Sequence, residues 1–213
     1  MLPEQKTSFN EMLVDFLKNE LPDGPNKTRV IQTGTNLHKE PSLKSFFDFV
    51  QRQASVILQD VNSATSDICA TGAWANLSFS NLAHPEHTHQ NNYLSAVYYA
   101  AAPTTGTSIC FIDPRPQSFM IAPPFTEQNS LNSSEFILPI TAGMLIFFPS
   151  WLPHSVIPSK SKSLRISISI NYMFKNFEEE ISPTDFSMSS ASTRGLNRIK
   201  HLKASIEKLY FND

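Results

Sequence analysis

The sequence predicts a mainly β protein with flanking helices, built as an antiparallel sandwich or a jelly-roll barrel. Three observations carry that prediction. From about residue 68 to 175 the chain runs in short β-rich stretches separated by Pro, Gly, Asn and Ser, with no helical period between them. The last of these, "LRISISINY" at 164–172, alternates apolar and polar residues without a break. Ahead of residue 65, by contrast, apolar side chains recur at helical spacing.

The first helix is expected from the capping box Ser8-Phe-Asn-Glu11, followed by "MLVDFLKNEL" with Met12, Leu13, Phe16 and Leu17 on one stripe. "LPDGPN" at 21–26 breaks it. A second helix is expected to start near Pro41-Ser42, with Phe46, Phe47, Val50, Ala54 and Ile57 recurring on its buried face. Strands are then predicted at "GAWANLSFS", "LSAVYYAA", "TSICFID", "EFILPI", "GMLIFFPS" and "LRISISINYMF". The polar segment at 178–195 reads as a loop or lid. A closing amphipathic helix uses Leu196, Ile199, Leu202, Ile206 and Leu209. At 213 residues the chain suits one domain. Its parts are a helical buttress over 1–65, a jelly-roll core over 66–175, and a loop with a C-terminal helix over 176–213.

The totals narrow the function. Hydrophobic residues make up 40% and charged residues 17%, the balance of an ordinary globular chain and not of a disordered one. A formal net charge of −2 with thinly spread Lys and Arg argues against a nucleic-acid surface. No apolar run reaches the roughly 20 residues of a membrane span. The start, "MLPEQKTSFNEML", lacks a basic-then-apolar signal peptide. The two cysteines, Cys69 and Cys110, lack metal-pair spacing and are too few for a disulfide framework, so a reducing cytoplasm is expected. An enzyme or a binding protein is what remains.

Two stretches could carry chemistry. "HPEHTH" at 84–89 packs three histidines and a glutamate into six residues. It offers two overlapping donor pairs at i and i+2, His84 with Glu86 and His87 with His89. His154 emerges from the Pro-bracketed turn of "FFPSWLPHSV". An i, i+2 pair plus a remote histidine is how a barrel gathers three ligands on one side of a metal, leaving the other side open. In "LRISISINY", Arg165, Ser167, Ser169 and Asn171 share one sheet face. If that face lines a barrel, Arg165 needs an anionic partner, because an unpaired buried charge is expensive. A ligand carboxylate meets the guanidinium in bidentate geometry. Ser95, Val97 and Tyr99 alternate likewise on the preceding "YLSAVYY", and Tyr99 could share such a carboxylate.

At these residues the sequence resembles the 2-oxoglutarate- and iron(II)-dependent oxygenases, and most a branch from bacteria and their phages. That branch carries H-x-H-P, L-S-G-V-Y-Y, D-P-R, F-P-S-W-L-x-H and R-I-S-I-S-x-N. The corresponding stretches are His87-Thr-His89-Gln, "LSAVYY", Asp113-Pro-Arg115, "FPSWLPH" and "RISISIN", over roughly residues 74–172. The resemblance implies a double-stranded β-helix (jelly-roll) core with Fe(II), 2-oxoglutarate and O2 as cofactor and co-substrates, and ascorbate as an accessory reductant. It implies metal ligation by His87, His89 and His154, and a co-substrate carboxylate held by Arg165, Ser167 and Tyr99. Glu86, Asn171, Asp113, Arg115 and Trp151 are candidates to touch substrate or to support the ligands from behind, with a structural turn pair the favoured alternative for Asp113 and Arg115. Gln90 and Ala96 stand where the branch has Pro and Gly, and neither change removes a donor. The wider superfamily uses His-x-Asp/Glu, which His84 and Glu86 would restore. Spacing to "YLSAVYY" favours His87 and His89, and Pro85 disfavours regular pairing beneath the other pair.

The implied reaction oxidises a substrate, most often by hydroxylation, while 2-oxoglutarate becomes succinate and CO2. A small-molecule or peptide substrate is expected, with neither nucleic acid nor membrane as partner, and the N-terminal helices could support a homodimer. Residues 115–134, "RPQSFMIAPPFTEQNSLNSS", are candidate walls of the substrate mouth. Two rival readings stand beside this one. A three-His cupin-type enzyme without 2-oxoglutarate has no need of a fixed carboxylate anchor such as Arg165 with Ser167. A non-catalytic jelly-roll module would leave the histidines metal-free.

Overall fold

A computed structural model describes residues 3–19, 29–63, 65, 67–79, 81–103, 106–115, 117, 120–129, 131–158 and 163–177. The chain divides into two compact units, Met1–Lys175 and Asn176–Asp213. The loop expected at 178–195 and the helix expected at 196–209 lie outside the described residues.

Helix α1 spans Pro3–Asn19, so the capping box expected at residues 8–11 sits inside it. Proline at a first helical position is pre-organised in φ and has no N–H to leave orphaned, which accounts for the earlier start. Leu13 and Leu17 are fully buried, whereas Met12, expected on the same stripe, is 47% exposed. Helix α2 spans Lys44–Asp60 after a 3-10 turn at Pro41–Leu43. The Glu40 carboxylate caps that turn, accepting from the Ser42 backbone N–H at 3.4 Å and the Ser42 hydroxyl at 3.1 Å. The helix buries Phe46, Phe47, Val50, Ala54 and Leu58. Its chain leaves through Asn62 at φ 53°, a left-handed conformation that asparagine tolerates.

Nine strands follow among the described residues: β1 Ile31–Gln32, β2 Ile68–Phe79, β3 His84–His87, β4 Leu94–Ala101, β5 Ser108–Ile112, β6 Glu135–Pro139, β7 Leu145–Pro149, β8 His154–Ile157 and β9 Leu164–Phe174. They form one sheet in the order β1-β2-β9-β4-β7 and a second in the order β3-β8-β5-β6, with antiparallel neighbours throughout. Strands distant in sequence lie side by side in both sheets, which is the jelly-roll arrangement. All six predicted strands are present. The short strands β1, β3 and β8 have no counterpart among the six predicted from sequence.

The five-stranded sheet is covered on both faces. On one, Leu77, Ala96, Tyr98, Ile166, Ile168, Ile170 and Tyr172 pack with Leu13, Leu17, Phe46, Val50 and Leu58 of the helices. On the other, Val97, Tyr99 and Phe148 meet Ile109 and Phe111 of the opposite sheet. The alternation of β9 therefore divides its side chains between a greasy helix-facing layer and a polar layer between the sheets. Arg165, Ser167 and Asn171 are buried there. Tyr98 is tied to α1 through its hydroxyl, which donates to Asn10 Oδ1 at 2.6 Å.

Ile168 is fully buried on the helix-facing side of β9. Ile168→Ala should cost about 2–4 kcal/mol of unfolding free energy in urea titrations. Metal binding measured on the folded variant should be unchanged, because the side chain points away from the inter-sheet cavity.

Candidate metal centre

The pairing of β3 with β8 sets His87 directly across from His154. Their ring centroids lie 4.3 Å apart. His89 comes two residues after His87, beyond the end of β3, and its ring centroid is 5.1 Å from each of the other two. One ring nitrogen from each histidine falls within 4.8 Å of the others. The three therefore gather from one strand, the turn after it and the partner strand. The turns are fastened together: the His89 backbone N–H donates to the Ser150 carbonyl at 2.8 Å, and the Ser150 N–H donates to Tyr93 O at 3.1 Å. Ser150 Oγ shares a 2.7 Å bond with Ser95 Oγ, which donates to Asn171 Oδ1 at 2.9 Å. "FPSWLPH" and "RISISIN" are thus joined through β4, and Asn171 serves that network.

Backbone carbonyls orient two of the rings. His87 Nδ1 lies 2.8 Å from Pro85 O, and His154 Nδ1 lies 3.0 Å from Leu152 O. Carbonyls only accept, so each Nδ1 carries the proton and each Nε2 keeps its lone pair for a ligand. Burial lowers the pKa of His89 and of His154 to about 4, helped by neighbouring imidazoles; the Leu152 carbonyl opposes the shift at His154. Neutral imidazoles are the form a metal ion binds. Three such donors on one side of an open cavity fit a divalent transition metal.

These rings line one end of a cavity of about 240 Å³, which also includes Tyr99, Ile109, Phe148, Val156, Arg165 and Ser167. That is below the roughly 300–1,000 Å³ typical of drug-sized ligand pockets, and suits a small molecule. Arg165 is only 4% exposed. Its guanidinium donates to Leu82 O at 3.0 Å and, more weakly, to Thr107 Oγ1 at 3.5 Å. No carboxylate pairs with it among the described residues. Burial lowers its pKa, and Tyr99 opposes that shift. Burial pushes the Tyr99 phenol up more strongly than Arg165 pulls it down, so Tyr99 keeps its proton as a donor. Among the described residues, no aspartate or glutamate lines the cavity.

The remaining candidates are dispersed. Glu86 is exposed, and the atom bonded to His87 Nδ1 is the carbonyl of Pro85 instead. Asp113 and Arg115 form a local ion pair, with Arg115 Nε 2.9 Å from Oδ1 and Nη2 2.6 Å from Oδ2. That pair holds Asp113 down at a pKa of about 2. Trp151 is exposed on the turn that delivers His154. Residues 120–129 of the candidate substrate wall are exposed. Sequence reasoning missed Trp74, Gln32, Asn76 and Thr107. Trp74 places its ring 5.8 Å from His89. Gln32 donates to Asn76 Oδ1 at 2.7 Å, and Asn76 donates to Ser169 Oγ at 3.2 Å. The period-two alternation of β2 held a signal for Trp74 and Asn76. The others needed tertiary contacts.

Residues 72–171 match the family model described as "Putative 2OG-Fe(II) oxygenase". No curated protein matches the sequence. Among solved structures, the chain is similar to a prolyl-4-hydroxylase from Pseudomonas putida, with 14% identity, 80% of this chain and 87% of that chain covered, and a TM-score of 0.55. It is also similar to an epimerase in complex with Fe3+, α-ketoglutarate and nogalamycin RO, with 14% identity, coverage of 87% and 84%, and a TM-score of 0.56. A third is an oxidoreductase of the 2OG-Fe(II) oxygenase family from Burkholderia pseudomallei, with 12% identity, coverage of 78% on both sides and a TM-score of 0.53. At such identities these structures speak for the jelly-roll fold, and the family match speaks for the chemistry. The family match, over 100 of the 213 residues, together with the three converging imidazoles, indicates a 2-oxoglutarate- and iron(II)-dependent oxygenase.

Proposed function

We propose that His87, His89 and His154 bind the iron, that Arg165 with Tyr99 and Ser167 holds the distal carboxylate of 2-oxoglutarate, and that the enzyme is a hydroxylase of a small molecule or peptide. The observation that carries this reading is Arg165, a buried guanidinium without a carboxylate partner among the described residues, lining the same small cavity as three converging imidazoles. A buried charge left unpaired is costly, and a bound dicarboxylate removes that cost. When bound, iron and 2-oxoglutarate supply the oxidation: O2 and 2-oxoglutarate give succinate and CO2, with the second oxygen atom entering a substrate C–H bond.

The chain's own groups divide the remaining work. Arg165 offers a planar fork to the distal carboxylate, and the protonated Tyr99 and the Ser167 hydroxyl add donors beside it. Ile109, Val156 and Phe148 form apolar walls that exclude water. The Pro85 and Leu152 carbonyls keep Nε2 of two ligand rings turned to the metal. Trp74, Gln32 and Asn76 furnish a neutral aromatic and amide wall on which substrate rests. The jelly roll over 66–175 with its helices is the catalytic unit of a single-domain protein. The reading places the enzyme in the cytoplasm with Cys69 and Cys110 as thiols. It also includes a homodimer through the exposed Met12, Phe49 and Val56 of the helices; a one-chain mass by light scattering would remove that part.

Oxygen-dependent succinate formation from 2-oxoglutarate with iron(II) and ascorbate tests the whole reading. Arg165→Ala should weaken 2-oxoglutarate binding by roughly tenfold to a hundredfold, the worth of charge-assisted hydrogen bonds. Alanine at His87, His89 or His154 should abolish iron binding, while Glu86→Ala retains it. Loss of iron in Glu86→Ala with retention in His89→Ala would transfer the ligand role to the carboxylate. Unbound to metal, the protein should also lose stability in acid. Unfolded histidines titrate near 6.5, and His84, His89 and His154 titrate at about 4 in the fold. Between those values the unfolded chain binds more protons, so Tm should fall as pH drops from about 6.5 toward 4.

A further inference from the structure

The fourth histidine of the cavity has a role that neither the metal set nor the fold uses. We propose that His84 binds the 2-oxoglutarate co-substrate, its ring donating an N–H to the bound dianion from the sheet that faces Arg165. This rests on the 2-oxoglutarate site proposed above and adds a second anchoring wall to it.

The placement of His84 is not what a regular strand would give. Residues i and i+3 of a strand point to opposite faces, so His84 and His87 should diverge. The β3–β8 register shifts between them, with His84 paired to Val156 and His87 to His154. Such an irregularity re-aims a side chain. Here it turns His84 into the cavity with its ring centroid 4.6 Å from that of His87. His84 is nevertheless outside the trio whose nitrogens converge within 4.8 Å. It therefore flanks the metal set without belonging to it.

Its chemistry points the same way. The Nδ1 atoms of His87 and His154 are bonded to carbonyls, whereas His84 makes no hydrogen bond among the described residues. The ring thus lies beside His87 and lines the same cavity as the guanidinium. A neutral imidazole carries one N–H in either tautomer, so it donates to a carboxylate without first taking up a proton. Arg165 and His84 are then two donors on facing sheets, each short of an acceptor that a dicarboxylate supplies. A ring that merely filled space would be replaced without loss by another ring.

The test is an anaerobic titration of iron(II)-loaded protein with 2-oxoglutarate, followed by the visible charge-transfer absorbance of the complex, with iron content measured in parallel. His84→Phe keeps the bulk and removes the donor; His84→Gln keeps an N–H. His84→Phe should raise the Kd for 2-oxoglutarate about tenfold with iron content unchanged, the worth of one hydrogen bond to a charged group. His84→Gln should stay within about threefold of the parent. A His84→Phe protein that binds 2-oxoglutarate as tightly as the parent overturns the proposal. So does one that loses iron as His87→Ala does, because His84 is then a metal ligand. If Arg165→Ala weakens binding and His84→Phe does not, the oxygenase site stands and only the role of His84 falls. If the iron-loaded parent binds no 2-oxoglutarate, both fall together.

Discussion

The structure depends most on one register, the pairing of β3 with β8 that sets His87 opposite His154. A slip of one residue would move every side chain of β3 to the other face. The rings would then face solvent, and Pro85 would enter the ladder at a donor position. Two features outside the strands resist that slip. The His89 N–H bonds the Ser150 carbonyl, and Ser150 is held in turn by Tyr93 and Ser95. The turn that starts β8 and the turn that ends β3 are therefore fixed to each other and to β4. Backbone hydrogen bonds within the chain thus bring the three imidazoles together.

The second constraint is the division of labour across the five-stranded sheet. A strand with one face in water would carry its polar residues there at no cost. In β9 both faces are buried, so the serines and Arg165 lie in the interior. The apolar face compensates by packing Ile166, Ile168 and Ile170 against β2, β4 and the two helices. The helices are thus part of the active site's energetics although they contribute nothing to its lining. They supply the burial that lets the inner face stay polar and incompletely satisfied, a strain that functional sites commonly store.

Much of this was legible in the sequence because strand alternation is a local property. "LRISISINY" assigned Arg165 and Ser167 to one face and the isoleucines to the other, and "LSAVYY" did the same for Tyr99. The capping box at residues 8–11 misled because Pro3 begins α1 earlier, and a helix started upstream runs through an internal Ser-x-x-Glu. Met12 was placed on the buried stripe on spacing alone, yet it projects outward beside Leu13. The cavity side of His84 could not be read at all, since the irregularity that turns it inward exists only in the pairing with β8. Thr107 and Leu82 escaped for the same reason: they meet Arg165 across 58 and 83 residues of chain.

The charge balance of the cavity follows from the same donors. A histidine pair with a carboxylate would place one negative charge beside the metal. Three imidazoles would place none, and among the described residues no acidic side chain lines the cavity. A divalent ion and the Arg165 guanidinium then leave the empty space strongly positive. The charge is shielded from water by Phe148, Ile109 and Val156, so its attraction is weakened less by salt than a surface pair would be. A dianion that reaches from the imidazoles to the guanidinium neutralises most of it, whereas a neutral molecule or a monoanion leaves one end uncompensated. On the proposed ligand set, preference for a dicarboxylate would arise from a histidine standing in place of an acid as much as from Arg165 itself. Trp74, Gln32 and Asn76 line the same cavity with an indole and two neutral amides, groups that discriminate by shape and hydrogen bonding.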